Sequence, residues 1–196
     1  MDRRGADAAS TKFLPLPPTG LPGNDDIIVT FQRDRLLLWI AQGFGSGRLR
    51  PGPGTWGSLV GLAMAIPLLR LPVAVQAAVA VVLAILAVPV CAAGERILGR
   101  KDPGSVVFDE IVAMPLVFLP ASAFWHAQPP PNQLHRAWPV FLAGFVLFRV
   151  LDIWKPWPIR SLQNLHGGLG VVVDDIAAAL IAGGLLIPLS TVLPRL

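Results

Sequence analysis

Residues 72–93 read PVAVQAAVAVVLAILAVPVCAA, a run that holds no charged side chain. About 20 apolar residues in a helix cross a hydrocarbon core of roughly 30 Å, so this run is long enough to span a bilayer. The rest of the chain agrees with it. Hydrophobic residues make up 54% and charged residues only 14%, against roughly 25% charged in ordinary globular domains. Mean hydropathy is +0.62. Four further apolar segments, 56–69, 106–125, 138–153 and 176–193, surround the longest one, and several of them are short or carry charges. The expected fold is all-α, a polytopic membrane helix bundle of about four to five apolar helices.

The N-terminal 26 residues break this pattern. They begin Met1-Asp2-Arg3-Arg4 and continue through Pro15, Pro17, Pro18, Gly20, Pro22 and Gly23 without a short apolar core, so they are not a signal peptide and read as a disordered tail. Residues 27–41, IIVTFQRDRLLLWIA, set Arg33, Asp34 and Arg35 among apolar side chains. This mixture predicts an N-terminal amphipathic helix lying on the membrane surface. Residues 27–196 are then expected to be one membrane-embedded domain. The single cysteine, Cys91, rules out an intramolecular disulfide.

Cations orient the chain. With five spans, the segments before residue 56, from 94 to 105 and from 154 to 170 lie on one side, and they carry twelve of the sixteen Lys and Arg. Arg70, Arg136 and Arg195 fall on the other side, and Arg149 falls within a span. The positive-inside rule makes the first side cytoplasmic. Trp56, Trp154 and Trp157 fall at inner borders and Trp125 and Trp138 at outer ones, as indole rings prefer. The net charge of +4 is explained by this asymmetry. No basic stripe with interleaved aromatics points to nucleic acid.

Every carboxylate that borders an apolar segment, Asp109, Glu110, Asp152, Asp174 and Asp175, falls on that same cytoplasmic side. Charges at membrane depth are costly and mark functional sites. Four constellations carry them or accompany them. GFGSG at 43–47 and PGPGTWGS at 51–58 lead into an apolar helix, where Gly54, Thr55 and Ser58 could cradle a phosphate at a helix N-terminus. A capped helix start explains the same residues equally well. In SVVFDEIV at 105–112 the adjacent Asp109 and Glu110 point about 100° apart on a helix, so they serve different partners, and one of them suits the positive helix start. In FRVLDIWKPWPIR at 148–160, Arg149 and Asp152 share a helical face, and two prolines then present Lys155 and Arg160 at the interface. In HGGLGVVVDDIA at 166–177, glycines separate His166, which could shuttle a proton or be structural, from the pair Asp174 and Asp175.

Clustered carboxylates suit a hard ion such as Mg²⁺, which takes one or two protein carboxylates and completes its shell with water and substrate phosphate. One Cys and no paired His do not suit zinc. A carboxylate-held ion with Arg and Lys nearby is a means of attacking a phosphate ester, and the setting makes that ester part of an amphiphile.

At these residues the chain resembles the bacterial phosphatidylglycerophosphatase A family. The resemblance covers roughly residues 36–190 and is carried by GFGSG (43–47), PGTWGSL (53–59), GSVVFDEIV (104–112), FRVLDIWKPWPIR (148–160) and HGGLGVVVDDIAA (166–178). It implies an all-helical, Mg²⁺-dependent phosphatase of the bacterial cytoplasmic (inner) membrane, acting at the cytoplasmic face. The implied reaction converts phosphatidylglycerophosphate to phosphatidylglycerol. The family's acidic motif falls on Asp109 and Glu110, its middle motif on Arg149, Asp152, Lys155 and Arg160, and its last on His166, Asp174 and Asp175. Ala113, Met114 and Pro115 depart from the family pattern after the acidic pair, and Pro115 is expected to kink its span. On this reading Asp109, Asp174 and Asp175 hold Mg²⁺, with Glu110 or Asp152 as a further ligand or as the base that orients water. Asp152 as a covalent nucleophile is the alternative. Lys155 and Arg160 hold phosphate over the 43–58 loop. Two other functions stay open on the residues alone: a phosphatase of a different lipid phosphate, and a small ion or solute transporter.

Overall fold

The computed structural model describes residues 24–125, 138–162 and 168–192. Among them every regular element is helical: α1 (Asn24–Ala41), a 3₁₀ turn (Gly43–Arg48), α2 (Pro53–Leu68), α3 (Val73–Leu98), α4 (Phe108–Trp125), α5 (Trp138–Trp154), α6 (Ile159–Leu162) and α7 (Gly168–Val192). The expected tail lies outside the described residues up to residue 23, and α1 begins at Asn24.

The centre of the bundle is α4, which packs against α7, α2, α3 and α5. Its sequence explains the position. Ile111, Val112, Ala113, Met114, Val117 and Phe118 cover the whole circumference of the helix with apolar groups, and all are at most 3% exposed. A helix that is apolar all round belongs in a core. Gly61 of α2 and Gly183 of α7 let both neighbours come close. A Cβ on Gly61 would lie 2.6 Å from the Ile111 carbonyl oxygen, and one on Gly183 would lie 2.5 Å from that of Val117. Small residues that admit backbone approach are how membrane helices pack when lipid removes the hydrophobic drive. The helix continues through Pro115 and Pro120.

Two described helices are long and apolar enough to cross a bilayer, Val73–Leu98 and Gly168–Leu189. The 16 residues of α2 and 17 of α5 are shorter than the expected four to five spans require. The outer surface is nevertheless oily on several helices. Val81, Val82, Ile85 and Leu86 of α3 are all more than half exposed, and Leu142, Val146, Val150 and Ile153 form an exposed stripe on α5. Apolar patches of this extent are rare on soluble monomers.

Three expectations need correction. The last span begins at Gly168 rather than 176, which places Asp174 and Asp175 inside α7 instead of at its mouth. Tertiary contact overrides the glycines there, since Gly168 sits where a Cβ would meet Ala92 of α3. The clearest span runs on to Leu98 and takes in Glu95 and Arg96. Finally, α1 does not separate its faces, because exposed Val29, Phe31, Leu36 and Trp39 alternate with exposed Gln32, Arg33 and Arg35.

Candidate active site

Antiparallel packing brings the starts of α2, α4 and α7 and the ends of α3 and α5 to one end of the bundle. There Asp109, Asp152, Asp174 and Asp175 are all buried, none more than 8% exposed. Glu110 joins them through Arg149, whose Nη1 donates to Glu110 Oε1 at 3.1 Å, to Asp152 Oδ2 at 2.8 Å and to Ser58 Oγ at 3.3 Å. One guanidinium thus ties α2, α4 and α5 together.

The glycine-rich start of α2 explains how Glu110 fits. A side chain at Gly54 would collide with the Glu110 carboxylate and stand 3.1 Å from Arg149 Nη1, and one at Gly57 would stand 2.9 Å from Glu110 Oε2. Glu110 therefore lies over the first turn of α2, where the helix dipole favours a negative group. Ser58 is fully buried and donates its hydroxyl to the Gly54 carbonyl at 2.8 Å. Upstream, the 43–47 glycines turn the chain and pack it under α4. Gly43 and Gly45 adopt φ of 57° and 101°, and Val107 N–H donates to the Ala41 carbonyl at 2.9 Å. Sequence alone did not reveal that this loop approaches a carboxylate, because Gly54 and Glu110 are brought together only by helix packing.

Across the cluster, Lys155 Nζ donates to Asp174 Oδ2 at 2.5 Å and lies 3.8 Å from Asp152 Oδ1. Lys155 follows the last residue of α5 with φ of 45°, a conformation that folds its side chain back toward α7. Burial works to lower its pKa, but the hydrogen bond to Asp174 and the charges of Asp174, Asp175 and Asp152 outweigh burial and hold it above its ordinary value. It is a fixed cation. The Asp175 N–H donates to Asp174 Oδ1 at 3.1 Å.

Of the remaining residues singled out from sequence, Thr55 is half-buried, Arg160 is exposed on α6 and His166 lies outside the described residues.

Two cations, Arg149 and Lys155, therefore pair with three of the five carboxylates, Glu110, Asp152 and Asp174. Asp109 Oδ1, Glu110 Oε2 and Asp175 Oδ2 are buried without a hydrogen-bond partner, as is Arg149 Nε. Buried polar groups are normally satisfied, and an uncompensated buried charge is expensive. Among the described residues no three acidic, imidazole or thiol side chains close into a complete metal nest. Mg²⁺ does not demand one, since it takes one or two protein carboxylates and keeps its waters. The donor chemistry of the orphaned oxygens fits such an ion.

A family model described as Phosphatidylglycerophosphatase A matches residues 39–190. An Escherichia coli protein named Phosphatidylglycerophosphatase A is 37% identical over 148 residues, covering 75% of this chain and 79% of the relative. A Haemophilus influenzae protein of the same name is 38% identical over 145 residues, covering 73% and 82%. A Bacteroides thetaiotaomicron protein, provisionally named a phosphatidylinositol-3-phosphatase, is 34% identical over 149 residues, covering 73% and 86%. No solved structure matches the chain.

Proposed function

The chain belongs to the phosphatidylglycerophosphatase A family and is a phosphatase, and on that premise we propose that it hydrolyses the terminal phosphomonoester of phosphatidylglycerophosphate, giving phosphatidylglycerol and phosphate, as a Mg²⁺-dependent multi-pass enzyme at the cytoplasmic face of the bacterial inner membrane. The observation that carries the reading is the excess of buried carboxylates over cations at one end of the bundle, with three carboxylate oxygens unpartnered. Basic loops at that same end and oily flanks on α3 and α5 support the orientation and the bilayer. An apolar groove of about 350 Å³ between α3 and α7, lined by Ile85, Val88, Val172 and Ile176 among others, offers an acyl chain a place on the bundle surface.

One or two of Asp109, Glu110 and Asp175 would hold Mg²⁺ through their orphaned oxygens, and the ion would supply charge stabilisation and a more acidic water. The protein's own groups do the positioning. Arg149 fixes Glu110 and Asp152 with one hydrogen bond each, and Lys155 fixes Asp174. A carboxylate thus held is placed to accept a proton from the attacking water.

The test is phosphate release from a panel of phospholipids by the purified protein in lipid, with Mg²⁺ and with a chelator. Release from phosphatidylglycerophosphate that the chelator abolishes is the expected result. Undiminished release in chelator rejects the ion, and release from other lipid phosphates alone rejects the substrate. The Bacteroides relative's name puts a phosphoinositide on that panel.

A further inference from the structure

Beside the carboxylate cluster lies a cavity of opposite sign. It has a volume of about 510 Å³ and sits between the 3₁₀ turn, the end of α3 and the loop before α4. Arg48, Arg50 and Arg100 line it together with the small Gly47, Gly104 and Ser105, and no acidic residue is among its walls. One of the arginines is held from behind. Arg48 Nε donates to Gln42 Oε1 at 2.7 Å, and buried Gln42 in turn donates from Nε2 to Ser105 Oγ at 3.4 Å. A guanidinium anchored at Nε keeps its two terminal nitrogens for an anion, and the planar fork matches the oxygens of a phosphate. Two residues of its lining adjoin active-site residues along the chain. Pro53 lines it and is followed by Gly54, against which the Glu110 carboxylate packs, while Ser105 lies in the loop four residues before Asp109.

We propose that this cavity is a second anion subsite, which binds the phosphodiester of the substrate while its terminal phosphomonoester enters the carboxylate cluster. The inference rests on the proposed function, because a substrate with two phosphates is what gives the two adjacent sites distinct tasks. The charges sort the two groups. The cluster accepts a phosphate only together with added positive charge, whereas three arginines accept one directly. The phosphodiester is not altered by the reaction, so its contacts are equally strong before and during hydrolysis. Uniform binding of that kind lowers KM and leaves kcat alone.

The experiment uses full-length protein in mixed micelles, with Arg50→Gln, Arg100→Gln and the double variant compared with wild type. The expected result is a KM for phosphatidylglycerophosphate raised roughly tenfold for each lost charge-assisted contact, with kcat within about twofold. Phosphatidylglycerol, which carries the diester and no monoester, should inhibit wild type competitively and the variants correspondingly less, while inhibition by inorganic phosphate stays unchanged. Unchanged KM overturns the proposal, and so does a fall in kcat without a change in KM. Weakened inhibition by inorganic phosphate with unaltered inhibition by phosphatidylglycerol also overturns it, because the cavity would then hold free phosphate. If the double variant does not fold, Arg100→Gln alone decides, since that side chain is exposed. Wild type that fails to hydrolyse phosphatidylglycerophosphate rejects the functional reading itself, whereas an active wild type with unaffected variants rejects only the subsite.

Discussion

Replacing Asp109 or Asp175 by Asn should make the protein more stable and at the same time inactive. Asp109 Oδ1 and Asp175 Oδ2 are buried and unpartnered, and the two side chains repel one another. Five carboxylates face two cations, so removing one negative charge relieves repulsion, and the new amide supplies a donor to the neighbouring carboxylate. An unsatisfied buried group costs about 1–3 kcal/mol, more when charged. The gain expected in chelator is therefore about 1–3 kcal/mol, read as a rise of roughly 2–4 °C in Tm for each kcal/mol in a chain of this size. Thermal unfolding in detergent with lipid measures it. Adding Mg²⁺ should reverse the order: an ion at a hundred times its Kd stabilises wild type by about 2.7 kcal/mol, and the Asn variants should gain much less. Phosphate release should fall by about two to three orders of magnitude, the several kcal/mol that a metal supplies to a phosphoryl transition state. Asn variants that melt at lower temperature than wild type in chelator would refute the reasoning, because the two oxygens would then have partners that stabilise the fold.

Arg149→Met should destabilise the protein by about 3–5 kcal/mol, since it strands Glu110 and Asp152 in the bundle. Adding Glu110→Gln should recover part of the loss, and a double-mutant cycle with additive effects would show that the pair is not coupled. Gly54→Ala should depress activity by displacing Glu110 and Arg149, whereas Gly184→Ala, where a Cβ meets nothing within 4 Å, should leave activity intact and add about 0.5–1 kcal/mol of helix stability. Lys155 has a folded pKa above its ordinary value of 10.5, so its pairing contributes stability that is fully present below that pH and is lost as pH rises through the folded pKa. Lys155→Met should then melt below wild type at pH 9, where the lysine is still charged, and an equal or higher Tm for the variant contradicts the pairing.

Much of the site was legible from residue type and position. Asp109, Glu110, Asp152, Asp174 and Asp175 stand out because bare carboxylates next to apolar runs are costly, and three separate chain segments supplied them with matching sidedness. The three-residue spacing of Arg149 and Asp152 predicted a pair that the structure contains at 2.8 Å. The helix start at Gly54 and Ser58 was not legible in the same way. Glycine before a helix suits a phosphate, a cap or a neighbouring side chain equally, and only the packing of α4 on α2 shows that Glu110 fills the space. The start of α7 misled for a related reason. Gly168 and Gly170 read as a break by propensity, but both lie in the helix, and close contact of Gly168 with α3 offsets the ~1 kcal/mol that a helical glycine costs.

The arrangement also explains why neither half of the active end is sufficient alone. Arg149 is committed to Glu110, Asp152 and Ser58, and Lys155 to Asp174. The cations inside the cluster are therefore largely occupied in holding carboxylates, and a dianionic phosphate ester approaching them meets a net negative wall. Coulomb repulsion at 4 Å amounts to about 4 kcal/mol for each pair of unit charges at an effective dielectric of 20, enough to exclude the ester. Positive charge must come from outside those pairs. On the proposed function a divalent ion on the orphaned oxygens would supply it at the reacting phosphate, and Arg48, Arg50 and Arg100 would supply it in the neighbouring cavity. Removing the ion should thus abolish hydrolysis while leaving lipid binding through the arginines in place. Equilibrium binding of phosphatidylglycerophosphate in chelator should be weakened by Arg50→Gln with Arg100→Gln and nearly indifferent to Asp109→Asn; the opposite ranking would mean that the ion, and not the arginine cavity, captures the lipid.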